Sequence, residues 1–339
     1  MMPVIVRTAA RVLMASAFAL GLAACTMAAT ALPLRLAHRD VPLGGKADRF
    51  DYENIDASRG LLFIAHLGSG IVTAFDLRKN RIVAQITDVP GVHGVLAVPR
   101  LGEVFATATD RNQLDIISER SFRILAIAPA GVYPDGMAYD PRNGKLFISD
   151  EAGETETVVD TRTNRRVATI AMGGEVGNSQ YDPRSNRILV DVQTRDEIVA
   201  IDPATDRIVR RYSLPLLCND DHGLLLDPNA RIAFVGCDGN AKLLVLDLHT
   251  MRLLSVHSTG DGPDVLAFDA GLQRLYVASE SGVVAVFHLH GRALQLLGRR
   301  YLANEAHSVA VDPRTHDVYF PLQNVGGIGV LRIMAPTYR

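Results

Sequence analysis

The sequence contains no tryptophan, and aromatic residues make up only 6% of its 339 residues. Proteins that bind sugars or single-stranded nucleic acids commonly stack those ligands on aromatic rings, so the composition argues against both classes. The chain also lacks a block of basic residues, and its formal net charge is −2. A partner bound through its phosphate backbone requires a basic surface, so we expect no nucleic-acid partner.

Several catalytic motifs are also missing. The chain has no G-x-S-x-G nucleophile elbow, no Ser-x-x-Lys pair and no C-x-x-C-H haem-attachment sequence. No glycine-rich loop stands between a predicted strand and a predicted helix, where a phosphate-binding loop would lie. These absences argue against serine hydrolases, c-type cytochromes and nucleotide-dependent enzymes.

One apolar run, VLMASAFALGLAA in residues 12–24, follows Arg7 and Arg11. This arrangement is typical of a secretory signal peptide, and the run is too short for a transmembrane helix. LAAC at 22–25 resembles the lipobox of bacterial lipoproteins, with Cys25 as the lipidated residue; ordinary cleavage after residues 29–31 is the alternative. The sequence thus predicts a signal peptide at 1–24 and an exported domain at 25–339, periplasmic or lipid-anchored to a bacterial outer membrane, with no other membrane contact.

Cysteine is scarce, with three residues in the whole chain. If Cys25 belongs to the export signal, Cys218 and Cys237 remain, and in an oxidising compartment a disulfide between them would persist. A zinc site built on cysteine would need more closely spaced cysteine and histidine residues. We therefore predict a Cys218–Cys237 disulfide.

A unit of about 43 residues occurs seven times along the chain. Each copy carries an Asp-Pro-Arg-like turn, and the anchors are between 42 and 45 residues apart. The anchors are Asp56, Val98, Asp140, Asp182, Asp227, Asp269 and Asp312. A strict period of this length is the sequence signature of a repeat architecture.

Each unit contains four short, β-branched runs separated by Asp, Asn, Gly and Pro, a pattern typical of strands and tight turns. Four strands in about 43 residues form one blade of a β-propeller. The seventh unit stops at residues 327–333 without a fourth strand, and the N-terminal segment 32–41 can supply it. The sequence therefore predicts an all-β, seven-bladed propeller with four-stranded antiparallel blades, closed by the N-terminal strand.

The phrases VVDTRTNRRVATIAMGG at 158–174 and YDPRSNRILV at 181–190 resemble the YVTN-repeat (YncE-like) β-propeller family of secreted bacterial proteins. The family's tetrapeptide is degenerate here, as in LFIS at 146–149. The opening RFDYENID at 49–56 and the two later cysteines are similar to one branch of the family. The resemblance covers nearly all of residues 32–333 and implies a propeller. It implies no single function, because such propellers include binding proteins and subunits of periplasmic oxidoreductases.

Two repeat positions should form rings of polar side chains at one mouth of the channel, because every first strand enters from the same face. Five residues before the anchors stand three acids and three histidines: Asp51, His93, Asp135, Gly177, His222, Asp264 and His307, with Asn178 beside the glycine. Eleven residues after the anchors stand Leu67, Thr109, Glu151, Gln193, Asp238, Glu280 and Gln323. From these rings we predict a binding funnel with Glu151, Asp238 and Glu280 at its rim. The alternative is that the acids of the first ring only cap their own turns.

Imidazole together with carboxylate is a usual ligand set for Zn, Cu, Ni or Mn, and a usual set for acid–base chemistry near neutral pH. His93, His222 and His307 are the candidate metal ligands, and the cofactor itself is left open beyond a divalent metal ion. The preferred interpretation is a non-enzymatic protein that binds a small molecule, a metal ion or a partner protein or peptide at the funnel. The alternatives are a metal-dependent lactonase or lyase, and an accessory subunit of a periplasmic redox complex.

Overall fold

In six of the seven units, the Asp-Pro-Arg-like turn carries an aspartate at or directly after the end of the first strand of a β-sheet in the computed structural model, which describes residues 31–337. Asp140 Oδ1 accepts a hydrogen bond from the backbone N–H of Arg142 at 2.8 Å, and Asp227 Oδ1 accepts one from Asn229 at 2.9 Å. A carboxylate bonded to the backbone two residues later holds the chain in a turn. The repeated aspartate therefore sets the hairpin that begins six of the seven units, and Val98 stands in its place in the second.

Residues 31–337 form seven antiparallel sheets, the blades of a propeller. Two N-terminal strands, β1 (Leu34–Leu36) and β2 (Val41–Pro42), come first. Blades 1 to 6 then take four consecutive strands each. Blade 1 contains β3 (Glu53–Asp56), β4 (Leu61–His66), β5 (Ile71–Asp76) and β6 (Arg81–Ile86), and blade 2 contains β7 (Val92–Val98), β8 (Glu103–Ala108), β9 (Gln113–Ser118) and β10 (Ile124–Pro129). Blade 3 contains β11 (Pro134–Asp140), β12 (Lys145–Asp150), β13 (Thr155–Asp160) and β14 (Arg165–Ala171), and blade 4 contains β15 (Ser179–Asp182), β16 (Arg187–Val192), β17 (Glu197–Asp202) and β18 (Arg207–Ser213). Blade 5 contains β19 (Asp221–Asp227), β20 (Ile232–Cys237), β21 (Lys242–Asp247) and β22 (Leu253–Ser258), and blade 6 contains β23 (Pro263–Asp269), β24 (Arg274–Ser279), β25 (Val283–His290) and β26 (Ala293–Tyr301).

The seventh blade is completed by the N-terminus. It contains β27 (Ala310–Val311), β28 (Val318–Val325) and β29 (Ile328–Pro336), and β1 pairs with β29 as its outer strand, with Leu34 opposite Pro336. The pairing covers an edge of β29 that would otherwise be open. The predicted fold class and the ring closure are confirmed.

The hydrophobic core lies between the blades. Every residue of β4 is buried, whereas most of the outer strand β18 is exposed. Phe63 in β4 packs with Val95 and Ala106 of the next blade. Middle strands are covered on both faces, which is why they are continuously apolar instead of alternating.

Short 3₁₀ helices follow the second strand in four blades, at Leu67–Ser69, Thr109–Arg111, Gln193–Arg195 and Asp238–Asn240. They carry members of the second predicted ring at the face where the first strands begin. No helix within residues 31–337 has the length and hydrophobicity of a membrane span. The predicted signal peptide and Cys25 lie outside the described residues.

Cys218 and Cys237 form a disulfide, with their Cα atoms 5.2 Å apart, which confirms the predicted pairing. The bond ties the loop before β19 to the end of β20 and fits an oxidising compartment. Replacing both cysteines by serine is expected to lower the free energy of unfolding by about 3 kcal/mol, because the cross-link restricts the unfolded chain. Urea unfolding measures the difference.

Reductant provides the control for the disulfide. Dithiothreitol should destabilise the wild type by a similar amount and leave the double serine variant unchanged. Equal stability of the wild type and the double variant would contradict the expected contribution.

Candidate functional site

The first ring is built on inner strands that approach one another closely. A Cβ atom on Gly94 would lie 2.2 Å from the carbonyl oxygen of Asp135, and one on Gly223 would lie 2.3 Å from the carbonyl oxygen of Asp264. Only glycine permits this approach of two backbones. As a result, the residue before Gly223, His222, comes within contact distance of Asp264 on the next blade, with Nε2 3.3 Å from Oδ1.

The two predicted rings meet in a funnel, a cavity of about 910 Å³ at the face where the first strands begin. Its lining includes eight of the ten predicted binding residues: Asp51, His93, Asp135, Glu151, His222, Asp238, Asp264 and Glu280. The cavity is within the size range of small-molecule sites.

The other two predicted residues, Asn178 and His307, do not line this cavity. Asn178 lines a second cavity of about 720 Å³ further along the channel, where its Nδ2 donates a hydrogen bond to Tyr52 Oη at 3.4 Å. It does not replace the side chain that Gly177 lacks, because a position one residue further along the strand lies deeper in the channel. His307 is buried beside Glu280, with only 2% of its surface exposed.

Three carboxylates form the floor of the funnel. Asp51, Asp135 and Asp264 are only 3%, 3% and 4% exposed. Burial, together with the charges of neighbouring acids, raises the pKa of Asp51 and raises that of Asp135 well above its usual value. Burial also acts to raise the pKa of Asp264, but its hydrogen bond to His222 and the nearby positive charges outweigh burial and lower it.

His222 is held as a cation by its surroundings. Its Nδ1–H donates to Gln193 Oε1 at 2.8 Å, and Gln193 Nε2 in turn donates to Glu151 Oε1 at 3.2 Å. Burial would lower the pKa of His222, but the hydrogen bond and charge of Asp264, with the charges of other buried acids, raise it well above its usual value. His222 thus balances one of the floor carboxylates.

His93 forms a different kind of pair. Its Nδ1–H donates to the carbonyl oxygen of Gly91 at 2.7 Å, and its Nε2 lies 4.0 Å from Asp51 Oδ2. Tyr133 Oη lies 3.0 Å from Nε2 and can donate to it. This places an imidazole and a phenol side by side on the funnel wall, an arrangement suited to proton exchange.

The three predicted metal-binding histidines do not share one site. Among the described residues, a group of three metal-binding side chains within 4.8 Å of one another consists of Asp264, Glu280 and His307. His93 points to Tyr133, and His222 contacts Asp264 from the other side. The histidines come from blades 2, 5 and 7, and the width of the channel keeps them apart.

The sequence argument missed Arg49 and Tyr133, which also line the funnel. Arg49 precedes the first inner strand, and Tyr133 ends the loop before β11, so neither occupies one of the two ring positions. Arg49 Nη2 lies 2.6 Å from Glu280 Oε1, across the closure of the ring. Comparing the same position in each of the seven units cannot reveal Arg49 or Tyr133, because neither residue stands at a position that the units share.

The architecture recurs in solved structures. Similar chains are hydrazine synthase of Kuenenia stuttgartiensis (TM-score 0.70, 13% identity, 87% of this chain and 97% of that one), the WD40 repeats of RRP9 (0.74, 11%, 89% and 99%) and virginiamycin B lyase of Staphylococcus aureus (0.73, 12%, 88% and 99%). At these identities the similarity shows the fold alone. No protein-family model and no curated protein sequence matches the chain.

Fold and site together define an all-β, seven-bladed propeller with an acidic funnel at one mouth of its channel.

Proposed function

We propose that this protein is an exported, non-enzymatic propeller of the YVTN-repeat type that binds a small, positively charged ligand in the funnel. The observation that carries the proposal is the floor of three carboxylates, Asp51, Asp135 and Asp264, each at least 96% buried. Burying several like charges together is costly unless cations balance them. The positive groups at the floor are Arg49 and His222, and the cavity leaves room for a further cation.

The ligand class follows from the lining. A divalent metal ion or an organic amine would satisfy carboxylates, whereas an anion would meet repulsion from the floor and from Glu151, Asp238 and Glu280. A lysine side chain of a partner peptide offers the same ammonium chemistry. The disulfide fits an exported protein, and we propose that residues 1–24 direct export and that Cys25 carries a lipid anchor.

Binding of 1,4-diaminobutane, measured by calorimetry at pH 8 and low salt, tests this function. We expect a 1:1 complex that Asp51→Asn weakens by about thirtyfold or more, the usual loss for a charged contact that is desolvated. The uncharged analogue 1,4-butanediol should not bind.

Asp88→Asn is the matched control, because the Asp88 carboxylate is 72% exposed and pairs with Arg111 outside the funnel. It should leave the diamine affinity unchanged. If the diamine does not bind, or if diol and diamine bind equally, the proposed function is wrong.

A second candidate function, a lyase or lactonase, is favoured by one observation, the 3.0 Å contact between His93 Nε2 and Tyr133 Oη. An imidazole beside a phenol can exchange a proton with a ligand held over the acidic floor. The similarities to virginiamycin B lyase and to hydrazine synthase, at 12% and 13% identity, concern the fold and support neither the enzyme nor the redox-subunit alternative. Copurification with a cofactor-bearing protein would be the evidence for the redox subunit.

A further inference from the structure

We propose that Asp264, Glu280 and His307 form a divalent-metal site in the funnel wall, and that the guanidinium of Arg49 holds the site's glutamate until a metal ion displaces it. The inference rests on the proposed function, since it assigns one bound cation to three named side chains. It replaces the set of three histidines that the sequence suggested.

The spacing of the three side chains suits a metal ion. One donor atom of each lies within 4.8 Å of the others, and His307 Nδ1 is 3.6 Å from Glu280 Oε2. Donors bound to one metal at about 2.0–2.2 Å stand roughly 3 to 4 Å apart. Movement of less than about an ångström would therefore bring all three into coordination range, and the side chain of Glu280, 35% exposed, is the least enclosed of the three.

His307 is prepared for this role. Its Nε2–H donates to the carbonyl oxygen of Phe50 at 3.0 Å, which leaves the lone pair on Nδ1. Nδ1 is buried and has no hydrogen-bond partner. Metal-binding histidines usually donate their second ring N–H to a carbonyl or carboxylate, and an unpaired buried acceptor is costly. A metal ion at Nδ1 would remove that cost.

The donor set indicates the kind of metal. One imidazole nitrogen with two carboxylate oxygens suits Zn²⁺, Mn²⁺, Co²⁺ or Ni²⁺, whereas Ca²⁺ and Mg²⁺ prefer oxygen donors alone. The contact of His222 with Asp264 Oδ1 at 3.3 Å would orient the carboxylate from outside the coordination sphere.

Arg49 competes for the same glutamate. Its Nη2 is 2.6 Å from Glu280 Oε1, its Nη1 is 3.4 Å from Oε2, and its Nε is 3.8 Å from Asp51 Oδ2. Both oxygens of Glu280 are thus occupied by a tethered cation. A metal ion that takes Glu280 must release the guanidinium, so metal binding at this site is an exchange, and Arg49 sets its affinity.

Titration of the intact protein with Co²⁺, followed by calorimetry and by the visible absorption of the bound ion, tests both the metal site and its competition with Arg49. We expect one Co²⁺ per chain, and a loss of affinity of more than about tenfold in His307→Ala and in Glu280→Gln. Glu280→Gln is included because its side chain is partly exposed and its replacement should not affect folding. His249→Ala, in an exposed turn outside the funnel lining, is the matched control and should keep the wild-type affinity.

Arg49→Gln should bind Co²⁺ about tenfold more tightly, because the competing charge is gone. Arg111→Gln removes the same charge from the Asp88 ion pair and should have no such effect. In a Glu280→Gln background, Arg49→Gln should no longer tighten binding, since the two effects share one contact.

The failures of the two proposals are distinguishable. If Asp51→Asn weakens diamine binding while His307→Ala and Glu280→Gln leave Co²⁺ binding unchanged, the funnel binds cations but this metal site is wrong. If Arg49→Gln leaves the Co²⁺ affinity unchanged or weakens it, the exchange is wrong. Absence of both Co²⁺ and diamine binding would overturn the metal site and the proposed function together.

Discussion

Gly223→Ala is expected to lower the free energy of unfolding by about 3 kcal/mol and to abolish cation binding in the funnel. The added Cβ would stand 2.3 Å from the carbonyl oxygen of Asp264 and 2.6 Å from a methyl group of Leu266. The carbonyl oxygen of Asp264 belongs to the backbone and cannot rotate away as a flexible side chain can, so blades 5 and 6 must move apart. The separation would pull His222 away from Asp264, a contact of 3.3 Å that lowers the pKa of the floor carboxylate.

Chemical unfolding and diamine calorimetry on the same samples measure both effects. Gly173→Ala is the control, because nothing lies within 4 Å of its added Cβ although its φ is +79°. Backbone strain alone should cost it about 1 kcal/mol and leave binding unchanged. A Gly223→Ala protein with wild-type stability would show that the inner strands are not as close as described.

Diamine affinity is expected to rise with pH by about tenfold per unit across the neutral range for each proton displaced. Burial raises the pKa of Asp51 and, further, that of Asp135, so these acids hold protons that unperturbed carboxyls would have lost. A bound cation favours the ionised form and expels the proton, so binding must strengthen as pH increases. The pKa of Asp264 is lowered, so this carboxylate stays ionised across the range, and the raised pKa of His222 favours its charged form.

Calorimetry between pH 5.5 and 8.5 in buffers of different ionisation enthalpy gives both the affinity and the number of protons released. The diamine is a suitable probe, since amines of this type titrate near the lysine value of about 10.4 and stay charged throughout. Asp135→Asn should flatten the profile. An affinity that falls with increasing pH would contradict a floor of protonated carboxyls.

The blade repeat explains why so much of the fold was predictable. The aspartate turn is a local interaction between a carboxylate and the backbone two residues later, so it can be recognised in sequence wherever it occurs. Ring closure followed from the missing fourth strand of the last unit, and β1 supplies it. The disulfide followed from the shortage of cysteine, because Cys218 and Cys237 were the two left once Cys25 was assigned to the export signal.

The candidate site was predictable to the level of the repeat position. Eight of the ten predicted binding residues do line one cavity, because equal register in every blade brings equal positions to the same mouth. Asn178 was assigned to the wrong depth, and Arg49 was missed because it has no counterpart in the other units. Knowing that a residue belongs to a ring also does not predict which side chains of the other blades it contacts.

By itself, the sequence determined the number of blades, the strand order within them, and most of the predicted residues at the channel mouth, because these depend on contacts between residues close in the chain. The tertiary structure decided that His307 joins Asp264 and Glu280 instead of the other two histidines, and that Arg49 reaches Glu280. Those contacts join blades 6 and 7 to the segment before blade 1, so they exist only once the ring has closed and set the width of the channel.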